Sequence, residues 1–247
     1  EATTESGSLI LLSSAAPAVF AVVSVLVGLY FRTKCFACEI DAWSAFRQAH
    51  VASNIIYFVR DGVSITTEMF TKNMAYKVFD FPLYQQLVAV ICRYFGTDIL
   101  LTGRGINLAI YVASYLTLYR LMRHFEIRTS TVLIVLFCYS VSPLNIYYNR
   151  ALIPDHLAIL FSFLSLLLFV CWDGGGKEYD YVGLLITGIM ATLIKNPIYL
   201  PIPVAIIVFY ASHRNWKRLF SLRLLFYGGT LAATVIVFRL YTNYVNA

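Results

Sequence analysis

Charged residues are scarce in this chain. Asp, Glu, Lys and Arg make up 13% of its 247 residues, against roughly 25% in an ordinary soluble domain. The hydrophobic fraction is 60%, and the mean hydropathy is +0.72. This composition excludes a soluble globular domain and predicts a protein that crosses a membrane several times. The apolar runs do not alternate with polar residues as barrel strands do, so helical spans are expected.

The chain also lacks complete motifs for nucleotide and zinc sites. Gly174-Gly-Gly176 has no Lys-Ser or Lys-Thr ending, so we interpret it as a connector rather than a phosphate loop. Cys35 and Cys38 form a lone C-x-x-C pair, which is weak support for zinc. A local disulfide and two free thiols both stay open. The net charge of +6 does not predict nucleic acid binding, because the basic residues lie in short loops between apolar runs.

A helix needs about 20 apolar residues to cross the hydrocarbon layer. The apolar runs of this chain therefore predict an all-α polytopic membrane protein with about seven spans. Their limits are Leu9 to Phe31, Leu101 to Leu121, Thr131 to Tyr147, Leu157 to Trp172, Tyr181 to Ile194, Ile198 to Ser212, and Leu222 to Tyr241. We treat residues 1–247 as a single transmembrane domain, in which residues 32–100 form a first external loop with interfacial helices.

One segment of that loop, residues 41–59, has the spacing of an amphipathic helix. The residues available for its apolar face are Trp43, Phe46, Ala49, Ile56 and Tyr57. We expect this helix to lie on the membrane surface.

The distribution of basic residues predicts how the spans are oriented. One loop carries Arg120, Arg123 and Arg128, and a second loop, an even number of spans away, carries Arg214, Lys217, Arg218 and Arg223. Both loops are therefore expected in the cytoplasm, together with the N-terminus. The first long loop, the turn before Asp155 and the Lys195-Asn-Pro197 turn then lie outside. The expected location is a bacterial inner (plasma) membrane.

This orientation brings ionisable residues from distant parts of the chain to the outer face. They are Glu39, Asp41, Asp80, Arg150, Asp155, His156 and Lys195. Two carboxylates from different loops can act as a base or bind a metal, and a neighbouring Lys or Arg can pair with phosphate. Ordinary solvated loop charges are the alternative for each residue. Asp155 and Lys195 are the better candidates because each directly abuts a span, where an unpaired charge costs roughly 2.5 to 3.5 kcal/mol.

Several short motifs follow one another in a recognisable order. They are Glu39-Ile-Asp41 after the first span, Asp80-Phe-Pro-Leu-Tyr84, Leu87-Val-Ala89, Tyr94-Phe-Gly96, Arg104, Ser142-Pro143 with Tyr147, Tyr148 and Arg150, then Asp155, and finally Lys195-Asn-Pro197. This series resembles the N-terminal half of the GT-C superfamily of polyprenyl-phosphate-sugar glycosyltransferases, in the branch of the protein O-mannosyltransferases and the aminoarabinose transferase of lipid A. The resemblance covers about residues 9–212 and rests on the order of individually weak motifs.

The resemblance implies transfer of a sugar from a polyprenyl-phosphate donor to an acceptor at the outer membrane face. It implies that Asp41, with Glu39 as its neighbour or substitute, acts on the acceptor. It also implies that Asp155 faces the active cavity and that Lys195 contacts the lipid phosphate. In such a reaction a cation stabilises the leaving phosphate while a carboxylate deprotonates or orients the acceptor hydroxyl.

Further residues at the outer face are candidates for substrate binding. Pro82 and Tyr84 belong to the Pro-Leu-Tyr element, which the resemblance implies shapes the external loop. Arg150 is a second candidate partner for phosphate, and Tyr148 and His156 lie near it in the sequence. No cofactor is required, and a divalent cation stays open, since carboxylates in two loops do not demand one. The expected partners are membrane lipid and a polyprenyl-phosphate sugar, not nucleic acid.

Two other functions stay open. Members of the family commonly carry Asp-Glu at the first-loop site, whereas Ala42 follows Asp41 here, and they run to a dozen or so spans. A catalytically inactive GT-C-derived structural or accessory subunit, bound to other membrane subunits, is therefore the second hypothesis. A transporter is the third. Pro197, Pro201 and Pro203 interrupt one apolar region, but no matching half is seen.

Overall fold

The structure, a computed structural model, describes residues 4–34, 45–62, 81–213 and 215–246. These residues form eleven helices joined by turns and loops, and none of them forms a β-strand. The helices are α1 (Thr4–Thr33), α2 (Ala45–Asp61), α3 (Leu83–Phe95), α4 (Ile99–His124), α5 (Thr129–Val141), α6 (Pro143–Arg150), α7 (Asp155–Asp173), α8 (Glu178–Tyr199), α9 (Pro201–Ser212), α10 (Trp216–Leu219) and α11 (Leu222–Asn246).

Three helices in the described ranges are long and apolar enough to cross a membrane: α4, α7 and, over Leu222–Tyr244, α11. The pair α5 and α6 meets the same criterion as one bent span, which makes up to four, and shorter apolar helices cover Pro17–Thr33 and Pro197–Ser212. The all-α membrane fold is therefore confirmed. The count of seven spans stays a prediction.

One of the expected spans is interrupted at a proline, and another ends just before one. The third breaks at Ser142, where α5 and α6 meet at 50°, because Pro143 holds the preceding residue in an extended conformation (φ −54°, ψ 120°). The fifth ends at Ile194, directly before Lys195, whose φ of −159° and ψ of 87° are not helical and which lies two residues before Pro197. A proline cannot donate the helical hydrogen bond and its ring clashes with the preceding turn. Both breaks lie at the same end of the helices as Asp155.

The central helices of the fold are α4 and α7. α7 packs against α8, and α8 in turn contacts α11, whereas α1 packs against α5 beside α4. Gly103 lets α4 approach the α6–α7 connection closely, since a Cβ at this position would overlap Leu152. Leu152 and Ile153 of that connection are fully buried. The start of α7 is thereby fixed against the N-terminal end of α4.

The amphipathic segment forms α2, and a face other than the one expected to meet the membrane packs against the neighbouring helices. Val51, Ile55 and Phe58 are buried together with Gln48 and Asn54, and α2 contacts α3 and α4. The Gln48 side chain is buried because its Oε1 accepts a hydrogen bond from the Leu152 amide at 3.1 Å. The face expected to meet the membrane is turned outward: Phe46, Ala49 and Ile56 are exposed, Tyr57 is partly exposed, and Trp43 lies outside the described residues. Its contact with the membrane stays a prediction.

The opposite end of the helices carries the basic loops that were expected in the cytoplasm. There Arg218 Nε lies 2.9 Å from Asp173 Oδ1, and Arg223 Nη2 lies 2.8 Å from Glu178 Oε1. Because α7 and α8 form an antiparallel pair, Asp155 and Lys195 lie at the other end. The two ends of the molecule are therefore distinct, and the side that each faces stays a prediction.

Candidate functional site

Asp155, the first residue of α7, is held by an arginine of α2. Arg47 Nη1 donates to Asp155 Oδ2 at 2.9 Å, and Arg47 Nη2 donates to Oδ1 at 2.6 Å. The side chains are 32% and 13% exposed, respectively. A carboxylate at a helix N-terminus is also favoured by the unpaired backbone N–H groups there. The carboxylate keeps lone pairs beyond those that Arg47 uses, so it is able to accept a further hydrogen bond.

A cavity of about 650 Å³ opens beside this ion pair. It is lined by Tyr139, Ser142, Leu144, Asn145, Tyr148, Asp155, His156, Ile159, Phe163 and Ile198. Three of the expected site residues, Tyr148, Asp155 and His156, thus share one cavity. Its walls combine hydroxyl, amide and carboxylate groups with aromatic and aliphatic faces, which is the mixture that fits a small polar ligand bearing an apolar side.

His156 presents an unused hydrogen-bonding atom in this cavity. The residue is 2% exposed, and Asn149 Nδ2 lies 3.3 Å from its Nδ1. The ring also forms a hydrogen bond with the Asn145 backbone. Within the described part of the chain, Nε2 is buried and has no hydrogen-bond partner. A ligand oxygen in the cavity would satisfy it.

The segment before α7 is pinned through its backbone. Arg104 Nε donates to the Arg150 carbonyl at 3.1 Å, and Asn107 Nδ2 donates to the Ala151 carbonyl at 2.8 Å. The Arg150 side chain is half-buried and is not among the described residues that line a cavity. The structure thus holds Arg150 near the site through its main chain, and its expected role as a phosphate partner stays a prediction.

Lys195 lies in a second, smaller cleft between α8 and α11. The cleft has a volume of about 320 Å³ and is lined by Thr192, Leu193, Ile194, Lys195, Pro197, Thr234, Val235, Phe238, Arg239 and Thr242. Pro197 lines this cleft, and the next residue, Ile198, lines the Asp155 cavity. Lys195 and Asp155 therefore line two different spaces, to which consecutive residues of α8 contribute.

Pro82 and Tyr84 are buried between helices. Tyr84 is fully buried and donates to the Gly103 carbonyl at 3.0 Å, and this burial raises the pKa of its phenol. Neither residue is among the described residues that line the two cavities. Phe81 contacts Phe238, with ring centroids 6.2 Å apart, so this element lies next to the α8–α11 cleft. Its position supports a shaping role rather than direct substrate contact.

The two carboxylates expected to act on the acceptor, Glu39 and Asp41, lie outside the described residues, as do Asp80 and the Cys35 and Cys38 pair. Their roles stay predictions. Within the described ranges no group of three or more His, Cys, Asp or Glu side chains forms a site for a metal ion.

Sequence reasoning assigned no role to three arginines that the structure makes prominent. Arg47 pairs with Asp155, and Arg239 lines the Lys195 cleft. Arg32 is 2% exposed; its Nη1 donates to the Gly28 and Ser140 carbonyls at 2.9 and 2.8 Å. Its guanidinium carbon lies 3.6 Å from the centre of the Tyr111 ring. The sequence signal available for two of them was position: Arg32 directly follows an apolar run, and Arg239 lies within one.

Comparison with known proteins identifies the family. The model of the family described as dolichyl-phosphate-mannose-protein mannosyltransferase matches residues 80–241, a range that includes Asp155, Lys195 and Arg239. The comparison with curated proteins gave no match, and neither did the comparison with solved structures. The match covers more than half of the chain and agrees with its apolar helices. The chain therefore belongs to the dolichyl-phosphate-mannose-protein mannosyltransferase family and is an integral membrane protein of glycosyltransferase type.

Proposed function

We propose that this protein transfers a sugar from a polyprenyl-phosphate donor to an acceptor hydroxyl at the outer membrane face. One observation carries the proposal: Pro197 and Ile198, consecutive residues near the end of α8, line the Lys195 cleft and the Asp155 cavity, respectively. A phosphosugar has two parts of different chemistry, an anionic phosphate and a polar ring. Two spaces lined by consecutive residues of one helix, one with a cation and one with hydrogen-bonding groups, suit such a ligand.

Each space supplies one part of the reaction. Lys195 pairs with the donor phosphate and stabilises the charge that develops on it as its bond to the anomeric carbon breaks. Asp155, Tyr148 and His156 bind the sugar hydroxyls in the larger cavity. The acceptor oxygen forms the new bond to the anomeric carbon, and Asp41 takes its proton.

A transfer assay with matched variants tests this proposal. The purified full chain would be supplied with a labelled polyprenyl-phosphate mannose, the donor class that the family name suggests. Lys195→Gln should raise the KM for the donor about tenfold, the cost of about 1.4 kcal/mol of binding, whereas Asp155→Asn should lower kcat. Arg120→Gln removes an exposed charge at the other end of the helices and should change neither. Wild-type kinetics in both site variants would overturn the proposal.

The proposed location is a bacterial inner membrane, with the N-terminus and the basic loops in the cytoplasm. The distribution of the arginines supports this orientation. Single cysteines placed at Gly175 and at Leu144 would be labelled with a membrane-impermeant thiol reagent, in a background without the native cysteines. Labelling of intact cells at position 144 and not at position 175 is expected, and the reverse pattern would contradict the orientation.

One observation favours an accessory subunit as the second function. Asp155 is already bound at both oxygens by Arg47, an arrangement that also serves to hold two helices together. An accessory subunit would purify from gently solubilised native membranes with other membrane proteins, and the isolated chain would transfer no sugar. Sugar transfer by the chain alone excludes this alternative.

A further inference from the structure

We propose that Arg239 and Thr192 complete, with Lys195, a site for the phosphoryl group of a lipid in the α8–α11 cleft. The inference rests on the proposed function because it takes this lipid to be the sugar donor. It assigns a role to Arg239 of α11, which had none. The ligand class is an amphipathic molecule with a phosphate head and an apolar chain.

The cleft brings two basic side chains together from different helices. Lys195 comes from the non-helical break in α8, and Arg239 comes from the final turns of α11. Both line the same space of about 320 Å³. None of the described residues lining it is acidic. An arginine and a lysine in one cleft form an attractive site for phosphate, because the guanidinium binds two oxygens at once while the ammonium acts as a point charge.

Thr192, which also lines the cleft, carries a hydroxyl group able to donate a hydrogen bond. The residue is 6% exposed, and its hydroxyl is buried without a hydrogen-bond partner among the described residues. Leaving a buried hydroxyl unpaired costs about 1 to 3 kcal/mol. The other hydroxyls differ in this respect: Thr234 donates to the Thr230 carbonyl and Thr242 to the Arg239 carbonyl. The unpaired Thr192 hydroxyl is therefore an independent sign that a polar ligand group belongs in the cleft.

Arg239 differs from the other charged residue of α11. Arg223, at the start of the helix, pairs with Glu178. Arg239 forms no ion pair with a described residue, although its neighbours Ile236, Val237 and Leu240 are 58%, 64% and 63% exposed, as expected for a surface that faces lipid. A charge on such a helix is costly and marks a functional position by default.

The surroundings favour a lipid over free phosphate. Leu193, Ile194, Pro197, Val235 and Phe238 line the cleft beside the two basic residues, so a phosphate and an apolar chain are both accommodated. The outer surface of α11 is itself apolar. Basic pockets between membrane helices bind lipid head groups in this way. A donor lipid is thus able to enter sideways from the membrane.

Binding of polyprenyl phosphate, without a sugar, to the full chain in detergent micelles tests the inference. Arg239→Gln should raise the Kd about tenfold, Arg239→Lys should restore part of the affinity, and Thr192→Val, which keeps the side-chain shape, should raise the Kd about threefold. Arg120→Gln serves as the matched control and should bind as the wild type does. Melting temperatures of all variants are measured in parallel, so that a folding defect is separated from a binding defect.

The outcomes distinguish this inference from the proposed function. If Lys195→Gln weakens binding and Arg239→Gln does not, the Arg239 site is wrong and the function stands. If sugar transfer is lost in Asp155→Asn but neither cation matters for lipid binding, the phosphate site is wrong while the reaction stands. Equal binding of polyprenol without phosphate, or of inorganic phosphate at the same concentration, overturns the assignment of a lipid phosphate. If lipid binding depends on Arg239 but the protein transfers no sugar under any condition, the phosphate site is supported and the proposed function is wrong.

Discussion

Arg47 and Asp155 are 108 positions apart in the sequence, and two hydrogen bonds of 2.9 and 2.6 Å join them. The pair connects α2, from the loop after the first helix, to the N-terminus of α7. Since Asp155 lines the larger cavity, the ion pair also fixes the position of a carboxylate at the site. Stability and sugar binding are therefore expected to depend on the same contact.

Removing either partner of this pair should destabilise the fold. Arg47→Gln or Asp155→Asn is expected to lower the free energy of unfolding by about 1 to 3 kcal/mol, because each removes the two hydrogen bonds of a partly buried ion pair. The double variant should lose less than the sum of the two. Unfolding in mixed detergent micelles measures all three. Arg60→Gln, in an exposed pair with Asp61 on the same helix, is the control and should have no measurable effect; strict additivity would contradict the predicted coupling.

Two glycines on α4 should respond in opposite directions to the same change. Gly103→Ala is expected to cost about 1 to 3 kcal/mol of stability, because the added methyl overlaps Leu152 in a packed contact. Gly105 has no atom within 4 Å of its would-be Cβ, so Gly105→Ala should stabilise the helix by about 0.5 to 1 kcal/mol. Thermal unfolding in detergent compares the two, and a neutral Gly103→Ala would show that α4 and the connection before α7 are not tightly packed.

His156 allows stability and binding to be separated. His156→Leu removes a buried ring nitrogen that has no partner in the described structure, so its effect on stability should be small. Asn149 keeps its two contacts to Asn145. If Nε2 donates to the sugar, kcat/KM should fall about tenfold while the melting temperature stays within a few degrees. Unchanged kcat/KM with a retained fold would show that His156 is a core residue alone.

Asp41 is the strongest candidate for the base that acts on the acceptor. Asp41→Asn should lower kcat by roughly 10² to 10⁴-fold, the usual contribution of a general base. Donor binding should be unaffected because the phosphate contacts are made elsewhere. Glu39→Gln is the matched variant: a comparable loss there would assign the role to Glu39, and intact transfer in Asp41→Asn would remove Asp41 from the mechanism.

The helices could be predicted from the sequence because their signal is local. A run of apolar residues has to satisfy its own backbone in a membrane, and the observed α4, α7 and α11 contain the expected spans almost residue for residue. Pro143 and Pro197 gave a further local signal. The expected third span nevertheless continues across Pro143, whereas the expected fifth span ends before Pro197. α3 was not identified from the sequence as a separate helix, because its apolar residues lie within the more polar segment of residues 32–100 that was assigned to the external loop.

The pairing of helices could not be predicted, because it depends on contacts between distant positions. Gln48 and Asn54 are polar in the sequence but lie on the buried face of α2, since Gln48 accepts the Leu152 amide. The division of Asp155 and Lys195 between two cavities, and the place of Arg239 beside Lys195, follow from the way α8 packs on α11. No spacing along the chain carries that information.

Gly28 shows how much can depend on a side chain that is missing. A methyl group at this position would overlap the Tyr111 hydroxyl, so the bare backbone allows α1 to lie against the ring on which Arg32 rests and lets the Gly28 carbonyl accept from that arginine. A larger residue would move the helix away from the Tyr111 ring and weaken two of the contacts of this buried guanidinium, leaving the one to the Ser140 carbonyl. Gly28 thus determines whether the positive charge of Arg32 is tolerated inside the protein. A larger residue at position 28 is expected to appear first as failed folding in the membrane.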